Sequence, residues 1–157
     1  MCVSVAIRPL RQCDVRVVAE LLGTVSEFVC SVELSDRWSH ADLEKWITQD
    51  ACLCQGAFHG KQIVGLCLGH LHVATGKLHV ENLFVRENYR RRGVGRRLFE
   101  KAVTEAMKQC SGRLRIVALV QQRNTCGQAF FERVGLLRGE VMVWYQGNPE
   151  VPKGVGN

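Results

Sequence analysis

Long apolar runs are missing from this sequence. No window approaches the ~18–20 consecutive apolar residues of a membrane-spanning helix. The start, MCVSVAIRPL, lacks the basic residues, apolar stretch and cleavage site of a signal peptide. Internal repeats, linkers and low-complexity segments are absent as well. We therefore expect an intracellular protein, placed in the cytoplasm, with no membrane partner.

Aromatic residues are also few, at 7% of the chain, and they do not alternate with basic residues as a nucleic-acid stacking surface would require. The formal net charge of +6 favours an anionic partner, but we expect no nucleic acid. A content of 46% hydrophobic and 23% charged residues excludes a disordered or collagen-like chain. At 157 residues, we expect one domain over residues 1–147 and a mobile tail over 148–157.

The chain carries eight cysteines, an even number that would allow disulfide bonds. Because a chain of this size without a signal peptide has no need of them, we expect reduced thiols. Cys52 and Cys54 alternate within an apolar run, which favours packing in the core over metal binding.

Hydrophobic spacing predicts a mixed α/β domain in which helices cover a sheet. Asp14 is a candidate N-cap of the first helix, and Ser39 with Asp42 forms a candidate capping box for the second. The predicted order is a strand (4–9), two helices (from 15 and from 39), three strands joined by hairpins (52–59, 62–73 and 77–85), a helix (95–110), a strand (114–120), a short helix (125–134) and a final strand pair ending at Tyr145.

The stretch RENYRRRGVG, residues 86–95, places three arginines before a Gly-x-Gly turn at the predicted start of a helix. The first amides of a helix lack an internal partner and the helix dipole is positive there, so the position suits an anion. A third glycine for the dinucleotide fingerprint is missing, and Gly76-Lys77 has the wrong neighbours for a P-loop. On this stretch alone, the phosphates of a cofactor, a localisation signal and a solvated basic face all remain open.

Two blocks of residues carry a family resemblance. Arg90-Arg91-Arg92-Gly93-Val94-Gly95 is similar to the (Gln/Arg)-x-x-Gly-x-(Gly/Ala) pyrophosphate loop of the GNAT superfamily of acetyl-CoA-dependent N-acetyltransferases. The second block, Asn124-x-x-Gly127-x-x-Phe130-Phe131-x-x-x-Gly135-Leu136, resembles the family's Asn-x-x-Ala-x-x-Phe-Tyr-x-x-x-Gly-Phe. Both stand in the family's element order, so the resemblance covers nearly the whole chain and is strongest over residues 62–145.

The resemblance implies a mixed sheet that is mostly antiparallel with a parallel central pair, and helices on both faces. It implies transfer of the acetyl group of acetyl-CoA to a primary amine by direct attack. Phe131 stands where many family members carry a tyrosine that protonates the leaving thiolate, so a non-catalytic acyl-CoA-binding module is the alternative. Tyr89, Tyr145, Cys126 and water are substitute proton donors. Family members are often dimers, so the resemblance also allows a homodimer.

The cofactor-binding residues implied by the resemblance fall into three groups. Strand residues would offer their backbone to pantetheine, turn residues would surround the pyrophosphate, and residues of the second block would contact pantetheine or a phosphate. Asn124 is also a candidate helix N-cap. The full set is Leu83, Phe84, Val85, Arg90, Arg91, Arg92, Gly93, Val94, Gly95, Arg96, Asn124, Phe131 and Arg133.

The resemblance also implies a general base, for which Glu81 is the first candidate and His79 the alternative base or relay. The two residues are two apart in a predicted strand and so share a face. If Thr75-Gly76 is a two-residue hairpin loop, His72 lies opposite His79, and His70 lies opposite Glu81. These four groups would alternatively decorate a solvent-facing strand or bind zinc. We expect no metal.

The acceptor amine is shaped in this family by two segments, here residues 32–40 and 137–142. Glu33, Asp36 and Glu140 would attract a cationic amine, whereas Arg37 and Arg138 oppose a purely acidic pocket. Polyamines and other small amines, amino sugars, aminoglycosides, peptide N-termini and lysines all remain open as small-molecule or peptide acceptors.

Overall fold

The computed structural model describes residues 4–23, 39–110 and 112–140. Its strands are β1 (Ala6–Pro9), β2 (Cys52–His59), β3 (Gln62–His72), β4 (Lys77–Val85) and β5 (Arg115–Ala118). Its helices are α1 (Val15–Gly23), α2 (His40–Thr48), α3 (Val94–Gln109) and α4 (Thr125–Arg133). The predicted tail and residues 141–147 lie outside the described residues, and residues 137–140 form no strand.

The described strands form one sheet in the order β1-β2-β3-β4-β5. The first four strands pair antiparallel, and β5 runs parallel to β4. Such a parallel pair needs a crossover, which α3 supplies between β4 and β5. The predicted mixed sheet, mostly antiparallel with one parallel pair, is therefore confirmed.

Helices cover both faces of the sheet, as predicted. Alternate residues of the strands point to opposite faces, so each face has its own apolar cluster. The first cluster packs beneath α3, with Leu98 and Ala102 fully buried and the aromatic residues of α4 at its margin. The second packs against α1 and α2, where Val18 and Leu43 are fully buried.

Helix α2 begins as the sequence predicts. Ser39 is its N-cap, and the Asp42 amide donates to Ser39 Oγ over 3.1 Å. The Asp42 carboxylate accepts from the Ser39 amide in return, which completes the capping box.

The helices of the described residues are each too short or too polar to span a lipid bilayer.

The six cysteines in the described ranges are free thiols. Burial raises the pKa of Cys54 and of Cys67 to about 12. Both thiols are therefore protonated at neutral pH and act as small apolar groups of the core.

An ion pair joins β1 to the segment that leads into α1. Arg8 donates to both carboxylate oxygens of Asp14, over 2.7 and 2.8 Å, and the Arg11 amide donates to Asp14 over 2.9 Å. The guanidinium also lies 3.9 Å from the ring centroid of Phe58. The hydrogen bond from Arg8 lowers the pKa of Asp14, which is buried.

We expect Asp14→Asn to lower the free energy of unfolding at neutral pH by about 1–3 kcal/mol, because it removes a hydrogen-bonded charge from beside Arg8. Since the folded-state pKa of Asp14 is lowered, its contribution is complete above the unfolded-state pKa and is lost as the pH falls through the folded-state pKa. Urea unfolding of both proteins at neutral and acidic pH tests this.

Arg16→Ala is the matched control, because the Arg16–Glu20 pair is exposed. Loss of this exposed pair should lower the free energy of unfolding by no more than about 0.5 kcal/mol. If Asp14→Asn lowered the free energy of unfolding by the same amount in acid as at neutral pH, the ion-pair explanation would be contradicted.

Candidate active site

Strands β4 and β5 separate halfway along β4. Their pairing runs from Lys77 opposite Arg115 to Val80 opposite Ala118 and stops there. Residues 81–85 of β4 continue as a strand, but in the described part of the chain no strand pairs with them on that side. The described structure therefore leaves an open strand edge on the second half of β4, and we call the gap between this edge and the chain that follows β5 the cleft.

A β-bulge lies at the point of separation. On β3, the neighbours Gly69 and Leu68 pair with Val80 and Asn82 of β4, so Glu81 is the extra residue. A bulge increases the local twist of its strand and ends regular pairing. This twist explains why β5 stops following β4 after Val80.

The predicted register of the four titratable residues is wrong. His70 lies opposite His79, and His72 lies opposite Lys77. The connection between β3 and β4 is a 3-10 turn over Val73–Thr75, closed by Gly76 in the left-handed region at φ 59°. This loop is longer than the two residues assumed, and the change in loop length shifts every pair.

Glu81 and His79 nevertheless share one face of the sheet. Leu78 and Val80 are buried in the cluster beneath α3, so His79 between them points to the opposite face. Burial, and secondly the Glu81 carboxylate, raise the pKa of Cys52, whose side chain belongs to the cluster beneath α1 and α2. Glu81 is exposed to solvent.

Imidazole and indole rings extend from His79 across this face. The ring centroids of His79 and His72 are 5.6 Å apart, those of His72 and His70 are 4.6 Å apart, and those of His70 and Trp46 are 6.0 Å apart. We call these four residues the aromatic row. Over residues 4–23, 39–110 and 112–140, no group of three or more His, Cys, Asp or Glu side chains is arranged to hold a metal ion.

The predicted phosphate turn leads from β4 into α3. Gly93 is the N-cap of α3 at φ 76°, and Arg91 is also left-handed at φ 61°. A Cβ added to Gly93 would have no heavy atom within 4 Å, whereas one on Gly95 would make ordinary contacts, 3.5 Å from Phe130 and 3.6 Å from Val85. The turn therefore offers the unpaired first amides of α3 to open space beside a glycine.

The arginines of the turn have different surroundings. Arg90 Nε donates to the Val85 carbonyl over 2.9 Å, which ties the turn to the end of β4. Arg96 pairs with Glu100 over 2.7 Å. Arg91 and Arg92 are exposed and form no ion pair with a carboxylate of the described residues. These two are the arginines best placed to meet an incoming anion.

Helix α4 follows β5 in the chain and begins just after Asn124. This residue is the N-cap of α4, and its Oδ1 accepts from the Gly127 amide over 2.9 Å. A Cβ at position 127 would lie 2.8 Å from Asn124 Nδ2, so glycine gives the cap its room. The exposed Asn124 amide keeps its Nδ2 donors for a ligand.

The aromatic residues of α4 pack on α3. Phe131 and Phe130 each lie 6.1 Å from Phe99, measured between ring centroids. Phe131 is half-buried and carries no hydroxyl, and Arg133 is exposed in the last turn of α4.

The substitute proton donors are poorly placed or lie outside the described residues. The Tyr89 hydroxyl shares a hydrogen bond of 2.8 Å with His59 Nδ1, at the turn between β2 and β3 and away from Glu81. Cys126 is exposed in the first turn of α4. Tyr145 lies outside the described residues. Of the two predicted acceptor segments, Glu33, Asp36 and Arg37 of the first also lie outside, and Arg138 and Glu140 of the second are exposed.

A splayed β4–β5 pair, a bulge and a glycine turn at the start of α3 occur together in this chain. A sequence model of the acetyltransferase (GNAT) family matches residues 20–136, well over half of the chain. The chain belongs to the GNAT acetyltransferase family. The predicted family and enzyme class are thereby confirmed.

Solved structures agree on the GNAT fold. The aminoglycoside N-acetyltransferase AAC(6')-Iy in complex with CoA is 17% identical with a TM-score of 0.75, covering 93% of this chain and 96% of that one. The PaiA N-acetyltransferase of Thermoplasma acidophilum in complex with coenzyme A is 21% identical with a TM-score of 0.71, covering 84% and 89%.

The ribosomal-protein-alanine N-acetyltransferase of Brucella melitensis biovar Abortus 2308 is 17% identical with a TM-score of 0.68, covering 92% of this chain and 100% of that one. No curated protein sequence matches the chain. The similarity to solved structures therefore establishes the fold, while acceptors differ among the proteins that share it.

We expect Asn124→Ala to lower the free energy of unfolding by about 1 kcal/mol, because it removes the N-cap of α4. Asn124→Asp keeps an oxygen at the same position and should retain most of the stability. Urea unfolding compares the two variants. Equal losses would show that Asn124 does not act through the cap.

Proposed function

We propose that the protein transfers the acetyl group of acetyl-CoA to a primary amine by direct attack, with Glu81 as general base. The observation that carries this proposal is the bulge at Glu81, because it lies where β5 leaves β4. A carboxylate at that point lies where the open edge of β4 begins, and the other end of this edge leads to the phosphate turn.

The turn residues fit the pyrophosphate of acetyl-CoA. Glycine at position 93 leaves open space, and the left-handed backbone there disfavours any larger residue. Unpaired amides at the start of α3 and the exposed guanidinium groups of Arg91 and Arg92 would donate to phosphate oxygens. Arg90 would act by holding the turn against Val85.

The open edge of β4 fits the pantetheine arm. An extended amide chain adds to a free sheet edge through main-chain hydrogen bonds. Leu83 lies in the half of β4 that pairs with β3 alone, while the Val85 carbonyl is already engaged by Arg90. Asn124 would donate its Nδ2 protons to the same arm from α4, and Phe131 would pack along it.

Glu81 would solve the main chemical difficulty of the reaction. An alkylammonium with a pKa near 10.4 is almost fully protonated at pH 7, which costs about 4–5 kcal/mol to reverse, whereas a peptide α-ammonium with a pKa near 8 costs about 1 kcal/mol. The neutral amine attacks the thioester carbonyl, a C–N bond forms, the C–S bond breaks, and CoA leaves as a thiolate. Glu81 accepts the proton from the amine directly or through water, with His79 as the alternative base.

The thiolate needs little help to leave. A thiol pKa near 8.5 makes the thiolate a tolerable leaving group, and solvent can protonate it. Phe131 provides no proton, and the Tyr89 hydroxyl is bonded to His59. The mechanism therefore relies on one protein group, the base.

We expect Glu81→Gln to lower the rate of thiol release at pH 7 at least tenfold, with part of the loss recovered as the pH rises and more amine becomes neutral. The assay follows thiol release from acetyl-CoA against polyamines, amino sugars, aminoglycosides, and N-terminal and lysine peptides. Glu20→Gln is the control, because Glu20 is an exposed residue of α1, and it should leave the rate unchanged. An unchanged rate in Glu81→Gln would exclude Glu81 as the base.

We expect Gly93→Asp to abolish acetyl-CoA binding, because it places a negative charge and a side chain in the phosphate turn. Gly60→Asp is the matched control: Gly60 has φ 59° and open space around it, but it lies in the turn between β2 and β3. Calorimetry should show binding lost in the first variant and kept in the second. Normal binding by folded Gly93→Asp would refute the assignment of the turn.

A further inference from the structure

Two basic residues lie on the sheet face that carries His79 and the proposed base Glu81, at the end of β4 opposite to the cleft. We call this face the catalytic face. Lys77 begins β4 and pairs with Arg115 of β5. Their neighbours Leu78 and Ile116 pack in the cluster beneath α3, so Lys77 and Arg115 point to the other face, the face of His79. We call Lys77 and Arg115 the basic pair.

The basic pair has no counter-charge among the described residues. Arg115 is exposed and Lys77 is half-buried, and no described carboxylate lies within ion-pair distance of either. Glu81 is the only Asp or Glu on the five described strands. On β4 and β5, the catalytic face therefore carries one negative group, the proposed base Glu81, and two positive groups, Lys77 and Arg115, at the far end.

The aromatic row crosses the sheet between these two ends, from His79 on β4 over β3 to Trp46 of α2. His79 lies between Glu81 and Lys77 on β4 with His70 as its cross-strand partner, whereas His72 is the cross-strand partner of Lys77. Neither the imidazoles nor the indole of Trp46 carries negative charge. An acceptor lying along this surface would therefore meet a carboxylate, then rings, then cations.

The spacing along β4 sets the size of that acceptor. Lys77 and Glu81 are four residues apart, which corresponds to about 13 Å at the rise of a β-strand. An extended peptide covers this length with about four residues. A free amino acid is too short to reach both ends, and a polycationic amine would bring its second positive charge to the basic pair.

We propose that the acceptor is a peptide N-terminus with acidic side chains at about its third to fifth residues. This proposal rests on the acetyl transfer proposed above. The α-amine binds at Glu81 and gives up its proton there, the backbone lies across the aromatic row, and the acidic side chains pair with Lys77 and Arg115. Opposite charges at the two ends fix the direction of the peptide and reject polycations.

The test compares two N-terminal peptides that differ only in carrying glutamate or lysine at positions three to five, with kanamycin and spermidine as polycations. We expect the acidic peptide to exceed the basic one at least tenfold in kcat/KM for thiol release. Lys77→Glu should reduce this ratio at least fivefold, and Arg115→Glu, at a more exposed position, should do the same. Lys61→Glu is the control, since Lys61 is exposed in the turn between β2 and β3.

Direct peptide binding, by fluorescence anisotropy with CoA present, separates this proposal from the proposed reaction. If no acceptor releases thiol but the acidic peptide binds in preference and Lys77→Glu removes the preference, the surface is supported and the proposed reaction fails. The proposal would be overturned by a preference for the basic peptide or for a polycation. It would also be overturned if folded Lys77→Glu kept the same preference for the acidic peptide, or if no peptide bound.

Discussion

The change of pairing partner along β4 is the constraint on which the site depends. The first half of β4 is paired on both sides, with β3 and with β5, whereas its second half is paired with β3 alone in the described structure. The bulge at Glu81 marks the boundary between the halves. One extra residue therefore opens an edge for an extended ligand and places a carboxylate at the point where that edge begins.

The phosphate turn is held by the same strand. Val94, the first residue of α3, is buried in the cluster between this helix and the sheet, and Arg90 donates to the carbonyl that ends β4. Because these contacts fix the turn to the cleft, the start of α3 and the open edge of β4 keep a constant separation. A ligand that joins an anionic group to an extended amide arm would meet both sites at once, as the proposed function requires.

Local signals in the sequence predicted most of the elements, because strand alternation, capping residues and glycine turns are set by near neighbours. β2 and β4 have the predicted bounds, and α2 begins at the predicted capping box. The register of His70 and His72 was mispredicted, since one turn longer than two residues shifts every pair. The bulge and the separation of β5 depend on partner strands, which periodicity within one strand does not encode.

The hydrogen bond between Tyr89 and His59 has a consequence for the kinetics of ligand capture. It anchors the residues just before the phosphate turn to the neighbouring hairpin, while Arg90 and Val94 anchor the turn itself. A turn held in this way is preorganised, so an incoming anion does not have to order the loop as it binds. The rate of encounter with the turn then depends on diffusion and on electrostatic attraction by Arg91 and Arg92. Added salt weakens only the attraction.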